Sequence, residues 1–239
     1  NFRTTAMCSP TRAAFLTGLN HHNAGMGWLA DIDSGYPGYR GDLTRDAATL
    51  PEVLSQAGYG TYLCGKWHVN LSASNGPAGP FHNWPTNRGF DHAYWFQGHS
   101  TDYFRPGAMF DGTTLVDVMA RPDADSYYVT DDLTDRAIGY VRTHHALAPD
   151  RPFFVQLAYS GAHSPLHAKP ALRDKFKGRY DKGWDVLRRE RLDKQHKLGI
   201  VSPTTQLPPL SKGADAWDSL SPDQRKVYAR YMEVYAGVI

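Results

Sequence analysis

The amino-acid sequence predicts an α/β layered domain, and two observations carry the prediction. Helical patterns alternate with short apolar runs of strand length, and 41% hydrophobic with 21% charged residues suits a chain that buries a core. With 239 residues there is room for one or two domains.

In chain order, residues 9–17 read as a helix, with Ser9 as its cap, Pro10 in the first turn and Gly18 just past the end. Residues 31–46, rich in Gly, Asp and Tyr, read as loop. A second helix spans 49–57, where Thr49 and Glu52 have capping-box spacing and Gly58 follows. A strand at 61–64 comes next. Residues 70–125 carry many Gly, Pro, Asn and aromatic residues and read as one long loop-rich insertion. A helix from 130 to about 144 places Leu133, Ala137, Ile138 and Val141 on one face, with Asp131-Asp132 at its positive end. The apolar strand 153–158, a charged helix at 185–197 and a Pro-rich linker at 202–213 follow. The last stretch has Ser221 as cap, Pro222 in the first turn and an apolar face of Val227, Tyr231, Val234, Tyr235 and Val238.

Two strands are too few for a complete sheet in a chain of this length. The opening at Asn1 and the final helix, which has no stop signal, fit a natural C-terminal helix and a fragment equally, and the strand count decides between them. The reading therefore expects an internal piece of a longer protein.

The formal net charge is +2, from 26 basic and 24 acidic residues, which gives no electrostatic case for a nucleic-acid binder or a polybasic membrane anchor. Mean hydropathy is −0.52. No apolar run approaches the ~18 residues that span a bilayer. Two cysteines exclude a disulfide-rich scaffold and a Cys-only zinc site. The 11 histidines, 14 tyrosines and 6 tryptophans suit an enzyme pocket.

The most specific segment is Cys8-Ser9-Pro10-Thr11-Arg12, continued by Ala13-Ala14-Phe15-Leu16-Thr17-Gly18. It sets a thiol at a helix N-terminus, where unpaired N–H groups and the dipole favour an anion, and Arg12 adds a fork of donors one turn on. A capped helix with a small buried cysteine and a surface arginine has the same spacing, so both readings stand at this point. Lys66 and His68, in Gly65-Lys66-Trp67-His68, follow the strand 61–64 and would share a rim if the chain stays extended. His163 follows the strand 153–158 in the same way. His21, His22, His82, His92, His99, His144, His145 and His196 show no spacing that builds a metal site, and Cys64 reads as a small buried residue.

The Cys8 segment resembles the sulfatase signature C-x-P-[ST]-R followed by T-G. Further pieces of the resemblance are Gly65–His68, Arg88-Gly89-Phe90-Asp91, Tyr128-Val129-Thr130-Asp131, the stretch Ala162 to Pro170, Arg179 to Asp185, and Met232-Glu233-Val234-Tyr235-Ala236, the last two looking like bacterial arylsulfatases. The resemblance implies a three-layer α/β/α sandwich with a mostly parallel sheet, alkaline-phosphatase-like and present here in part. Residues 1–239 would be a partial N-terminal catalytic domain lacking its first strand and its C-terminal part. It also implies that Cys8 is oxidised after translation, by a formylglycine-generating enzyme, to 3-oxoalanine (formylglycine). The hydrated aldehyde would attack the sulfur of a sulfate monoester such as an aryl sulfate, and the sulfated product would then collapse to aldehyde and inorganic sulfate.

Residue by residue, the resemblance assigns Lys66 to the sulfate and keeps Arg12, beside Cys8, among the catalytic residues. His68 would hydrogen-bond the formylglycine hydrate. His163 would contact sulfate and act as candidate general acid. Lys169 would bind substrate, though it matches less firmly, as does His167. A hard divalent cation, usually Ca²⁺, would bind the sulfate and the Cys8-derived oxygen. Its other ligands, an Asp pair before the signature and an Asp-Asn pair after Met232, do not occur in this sequence. Two alternatives stay open: a phosphonate monoester or phosphodiester hydrolase on the same scaffold, and an inactive fragment.

Overall fold

A computed structural model describes residues 4–71 and 76–239. The chain forms two compact units, Asn1–Pro165 and Leu166–Ile239.

The first unit is built on one five-stranded sheet: β1 (Gly60–Lys66), β2 (His92–Phe96), β3 (Met109–Asp111), β4 (Thr114–Val116) and β5 (Phe153–Ala158), in the order β4-β3-β2-β1-β5. β1 pairs in parallel with both β2 and β5, while β2–β3 and β3–β4 are antiparallel. The sheet is therefore mixed, with a parallel centre and an antiparallel hairpin at one edge. Three of its strands fall within 70–125, the stretch that reads as loop. They are short and set among Gly, Pro and Asn, so their periodicity is too brief to register.

The central strand β1 is buried along its whole length, and its alternation serves two layers. Leu63, with Ala93 and Trp95 of β2 and Phe110 of β3, joins Ala13 and Leu16 of α1 (Cys8–Thr17) in one core. On the other face α3 (Val129–Leu147) lays Tyr140 against Tyr62, with ring centroids 5.2 Å apart, and Arg136 over the Tyr94 ring at 4.4 Å. This is an α/β/α arrangement, and the fold class is α/β. In α3 the buried residues are Val129, Leu133, Ala137 and His144, whereas Ile138, expected on that face, is 42% exposed. His144 is fixed at both nitrogens, by the Tyr62 hydroxyl and the Arg151 carbonyl, each at 2.8 Å.

The caps separate local from tertiary information. α2 (Leu50–Gln56) has the expected capping box, with the Thr49 hydroxyl accepting from the Glu52 amide and the Glu52 carboxylate accepting from the Thr49 amide. α1 starts one residue earlier than the sequence suggests. Met7 is its N-cap, so Ser9 is no cap and its Oγ instead accepts from the Ala30 amide. Gly18 closes α1 at φ 69°, donating to the Ala14 carbonyl at 2.9 Å. The Arg88–Asp91 motif is structural. Buried Arg88 donates to Glu52, Asn83 and the Thr44 and Ala47 carbonyls, and the Asp91 carboxylate accepts from the Thr61 amide.

The second unit contains α4 (Pro170–Asp174), α5 (Gly183–Lys197) and α6 (Pro222–Val238). Trp217, Leu220 and Ala229 form its core, with Tyr180, Trp184 and Met232 packed on it. α6 has the expected Ser221 cap, completed as a capping box by Gln224. Its buried face is not the Val/Tyr stripe but Ala229, Glu233 and Gly237, while Val227, Tyr231 and Tyr235 are exposed. Small residues win that face because α4 lies close: a Cβ on Gly237 would sit 2.9 Å from the Arg173 backbone. Among the described residues no helix is long and apolar enough to cross a membrane.

Candidate active site

The three parallel strands β1, β2 and β5 run the same way, and each feeds a loop at its carboxyl end that carries a histidine or lysine. β1 ends on Lys66 and is followed by His68, β2 is followed by His99, and β5 is followed by His163. The carboxyl edge of a parallel sheet is where open α/β folds place their ligands. α1 brings Cys8 and Arg12 to the same edge.

Cys8 is the first residue of α1 and half-buried, and its Sγ lies 3.2 Å from His68 Nδ1. Arg12 Nη1 donates to the Lys66 carbonyl at 2.8 Å, which ties α1 to the end of β1. Lys66 is buried, and its Nζ donates to the His99 carbonyl at 2.6 Å. Lys66 and His68 do share one rim, both beside Cys8, but the chain between them does not stay extended. His68 takes a left-handed backbone, φ 56°, and the turn rather than the strand aims its ring at Cys8. Gly65 is required three residues earlier: at φ 111° a Cβ would run into the Ala158 carbonyl oxygen, so only glycine lets β1 and β5 approach.

Burial concentrates the charge. It pulls the Arg12 guanidinium down to about 10, against the pull of Cys8. It lowers Lys66 too, with Arg12 adding to the effect and Cys8 opposing it. His68 falls to about 4, through burial first and then the Lys66 charge, so its imidazole is neutral near pH 7. Cys64, by contrast, lies inside β1, fully buried, and burial pushes its thiol up to about 12. Both cysteines are free.

His163 is tied down by its own loop: its amide donates to the Ser160 carbonyl at 2.8 Å, and its carbonyl accepts from Tyr103 at 3.0 Å. The His99 ring lies 6.2 Å from that of His68 and 5.6 Å from that of His163, bridging the two in a row of imidazoles. Sequence reasoning passed over His99. The available signal was that it follows a strand, and that strand, β2, went unread. Asp31 is a second residue missed. Its Oδ1 is 3.6 Å from His68 Nε2, and nothing local in the 31–46 loop marks it. Lys169 and His167 belong to the second unit.

Among the described residues, no group of three or more His, Cys, Asp or Glu side chains converges to hold a metal ion. Around Cys8 the described residues supply cations, imidazoles and the carboxylate of Asp31. That set suits an anion and does not make a cage for a hard divalent cation.

The fold is that of an alkaline-phosphatase-like α/β protein, with Cys8, Arg12, Lys66 and His68 gathered at the carboxyl edge of its sheet. The chain belongs to the sulfatase family, whose model matches residues 1–238. It is 32% identical to an arylsulfatase of Klebsiella aerogenes, across the whole chain and 50% of that protein. It is 30% identical to an uncharacterized sulfatase of Schizosaccharomyces pombe, across the whole chain and 45% of that protein. The crystal structure of Ps i-CgsB superposes with a TM-score of 0.58 at 26% identity, covering 74% of this chain and 40% of that one. The chain thus spans about half the length of these curated relatives.

Proposed function

We propose that this protein hydrolyses sulfate monoesters, releasing phenol and inorganic sulfate from aryl sulfates, through a nucleophile derived from Cys8. The carrying observation is the 3.2 Å approach of Cys8 Sγ to His68 Nδ1 at the N-terminus of α1, with Arg12 and Lys66 alongside. Sulfur in a sulfate ester is ringed by negative oxygens, so hydrolysis needs charge neutralisation, a positioned nucleophile and a protonated leaving group. Arg12, Lys66 and the α1 amides neutralise the oxygens. His68 Nδ1 orients and accepts the proton of the attacking hydroxyl, for which Cys8 Sγ stands in. His163 protonates the departing alcohol. Converted to formylglycine by a formylglycine-generating enzyme, Cys8 supplies a hydrate whose second hydroxyl frees sulfate without water attacking sulfur. Ca²⁺ belongs to this reading as the family's usual cation, but no step is drawn through it because the residues around Cys8 do not cage it. The arylsulfatase of Klebsiella aerogenes supports the aryl choice.

The test is turnover of aryl sulfate beside aryl phosphate and phosphonate esters, by the full-length protein and by its Cys8→Ala variant. We expect sulfate to be preferred and Cys8→Ala to be inactive. Wild-type turnover by the variant removes Cys8 from the reaction, and a preference for the phosphorus esters overturns the substrate class.

A further inference from the structure

His68 meets Cys8 through one nitrogen only. The other, Nε2, is buried without a hydrogen-bond partner, and Asp31 Oδ1 is 3.6 Å from it. The His68 side chain is 1% exposed, so water does not reach Nε2 freely, and the Asp31 carboxylate is the group that faces it. In a neutral imidazole one nitrogen carries the proton and the other a lone pair, and the group facing one nitrogen sets the role of the other. A carboxylate only accepts. Facing Nε2, it draws the proton there and leaves the Nδ1 lone pair turned toward Cys8. With the opposite tautomer, Nδ1 would donate to the nucleophile and Nε2 would set a lone pair against a carboxylate. The left-handed backbone of His68, uncommon away from glycine, fixes the ring between the two partners. Active-site hydrogen bonds run long before substrate arrives, and a small rotation of Asp31 closes this one.

Resting on the sulfate-ester reading above, we propose that Asp31 is a positioning residue. It accepts from His68 Nε2–H, fixes the imidazole tautomer, and so presents Nδ1 as the acceptor for the nucleophile's proton. Asp31 touches no substrate in this scheme and acts through His68.

The experiment is ¹⁵N NMR of histidine-labelled protein at pH 7.5, with His68 assigned by its loss in His68→Gln, together with aryl sulfate kinetics. We expect the Nε2–H tautomer in the wild type. Asp31→Asn should move His68 toward a mixture of tautomers and lower kcat about 10–100-fold with little change in KM. Asp31→Glu should restore the tautomer and most of kcat. An Nδ1–H tautomer in the wild type, or tautomer and kcat both unmoved in Asp31→Asn, overturns the proposal. If Asp31→Asn does not fold, Asp31→Glu decides, and loss of the Nε2–H tautomer there overturns it. The tautomer needs no turnover. An inactive wild type with the expected tautomer therefore sinks the sulfatase reading and leaves the Asp31–His68 pair standing.

Discussion

Cys8 owes its setting to residues distant in sequence. Its imidazole partner comes 60 positions later, and Arg12, one turn along α1, reaches the Lys66 carbonyl rather than solvent. Arg12 is held by the bond to Lys66, and on the proposed function its remaining donors meet an oxyanion. A lysine keeps the charge and loses the fork. Arg12→Lys should therefore lower kcat/KM for aryl sulfate about 10–100-fold, the worth of one or two charge-assisted hydrogen bonds. Unchanged kinetics would mean Arg12 only staples the helix. At this scale the sequence was informative where a motif spans a few residues, as at Cys8 to Arg12. It was silent at Asp31 and His99, whose roles come from loops that meet only in the folded chain.

At the level of elements, the Thr49/Glu52 capping box and the Ser221 cap were legible because their atoms lie within four residues, while Gln224, which completes the second box, went unread. The α6 face was not. Its Val/Tyr periodicity is real, but packing against α4 selects Ala229, Glu233 and Gly237, which no hydrophobicity pattern favours. Glu233 is tolerated because it accepts from Arg230 at 2.6 Å and from the Gly178 amide at 2.7 Å. Burial raises its carboxyl, but those bonds outweigh it and hold it below the ordinary value. The folded state thus binds that proton less tightly than the unfolded chain, so the carboxylate contributes stability at neutral pH and loses it as pH falls. The melting-temperature gap between wild type and Glu233→Gln should close on acidification below about pH 4. A gap that holds or widens would contradict this. The β1–β5 pairing has its own test. Gly65→Ala places a methyl against the Ala158 carbonyl at a positive φ, and should cost about 3 kcal/mol or more in urea unfolding. A loss below about 1 kcal/mol would mean that the strands separate easily.

For the molecule as a whole, the near-neutral charge and the site agree. A net +2 offers nothing to a polyanion at large, while Arg12, Lys66 and the α1 N-terminus gather positive potential at one sheet edge. The α/β class was readable from alternating helices and strands. The full sheet was not, because β2, β3 and β4 are too short for a periodicity to show, and the pairing of β2 with β1 joins segments distant in sequence. That gap also hid His99, so missed strands and a missed site residue share one cause. The central claim is that Cys8 is the source of the nucleophile. The most direct measurement is the mass of the tryptic peptide holding Cys8, from protein made in a host with the converting enzyme. The account predicts a loss of about 18 Da relative to the thiol, as CH₂SH becomes CHO. An unmodified thiol in protein that still turns over aryl sulfate at full rate would contradict it.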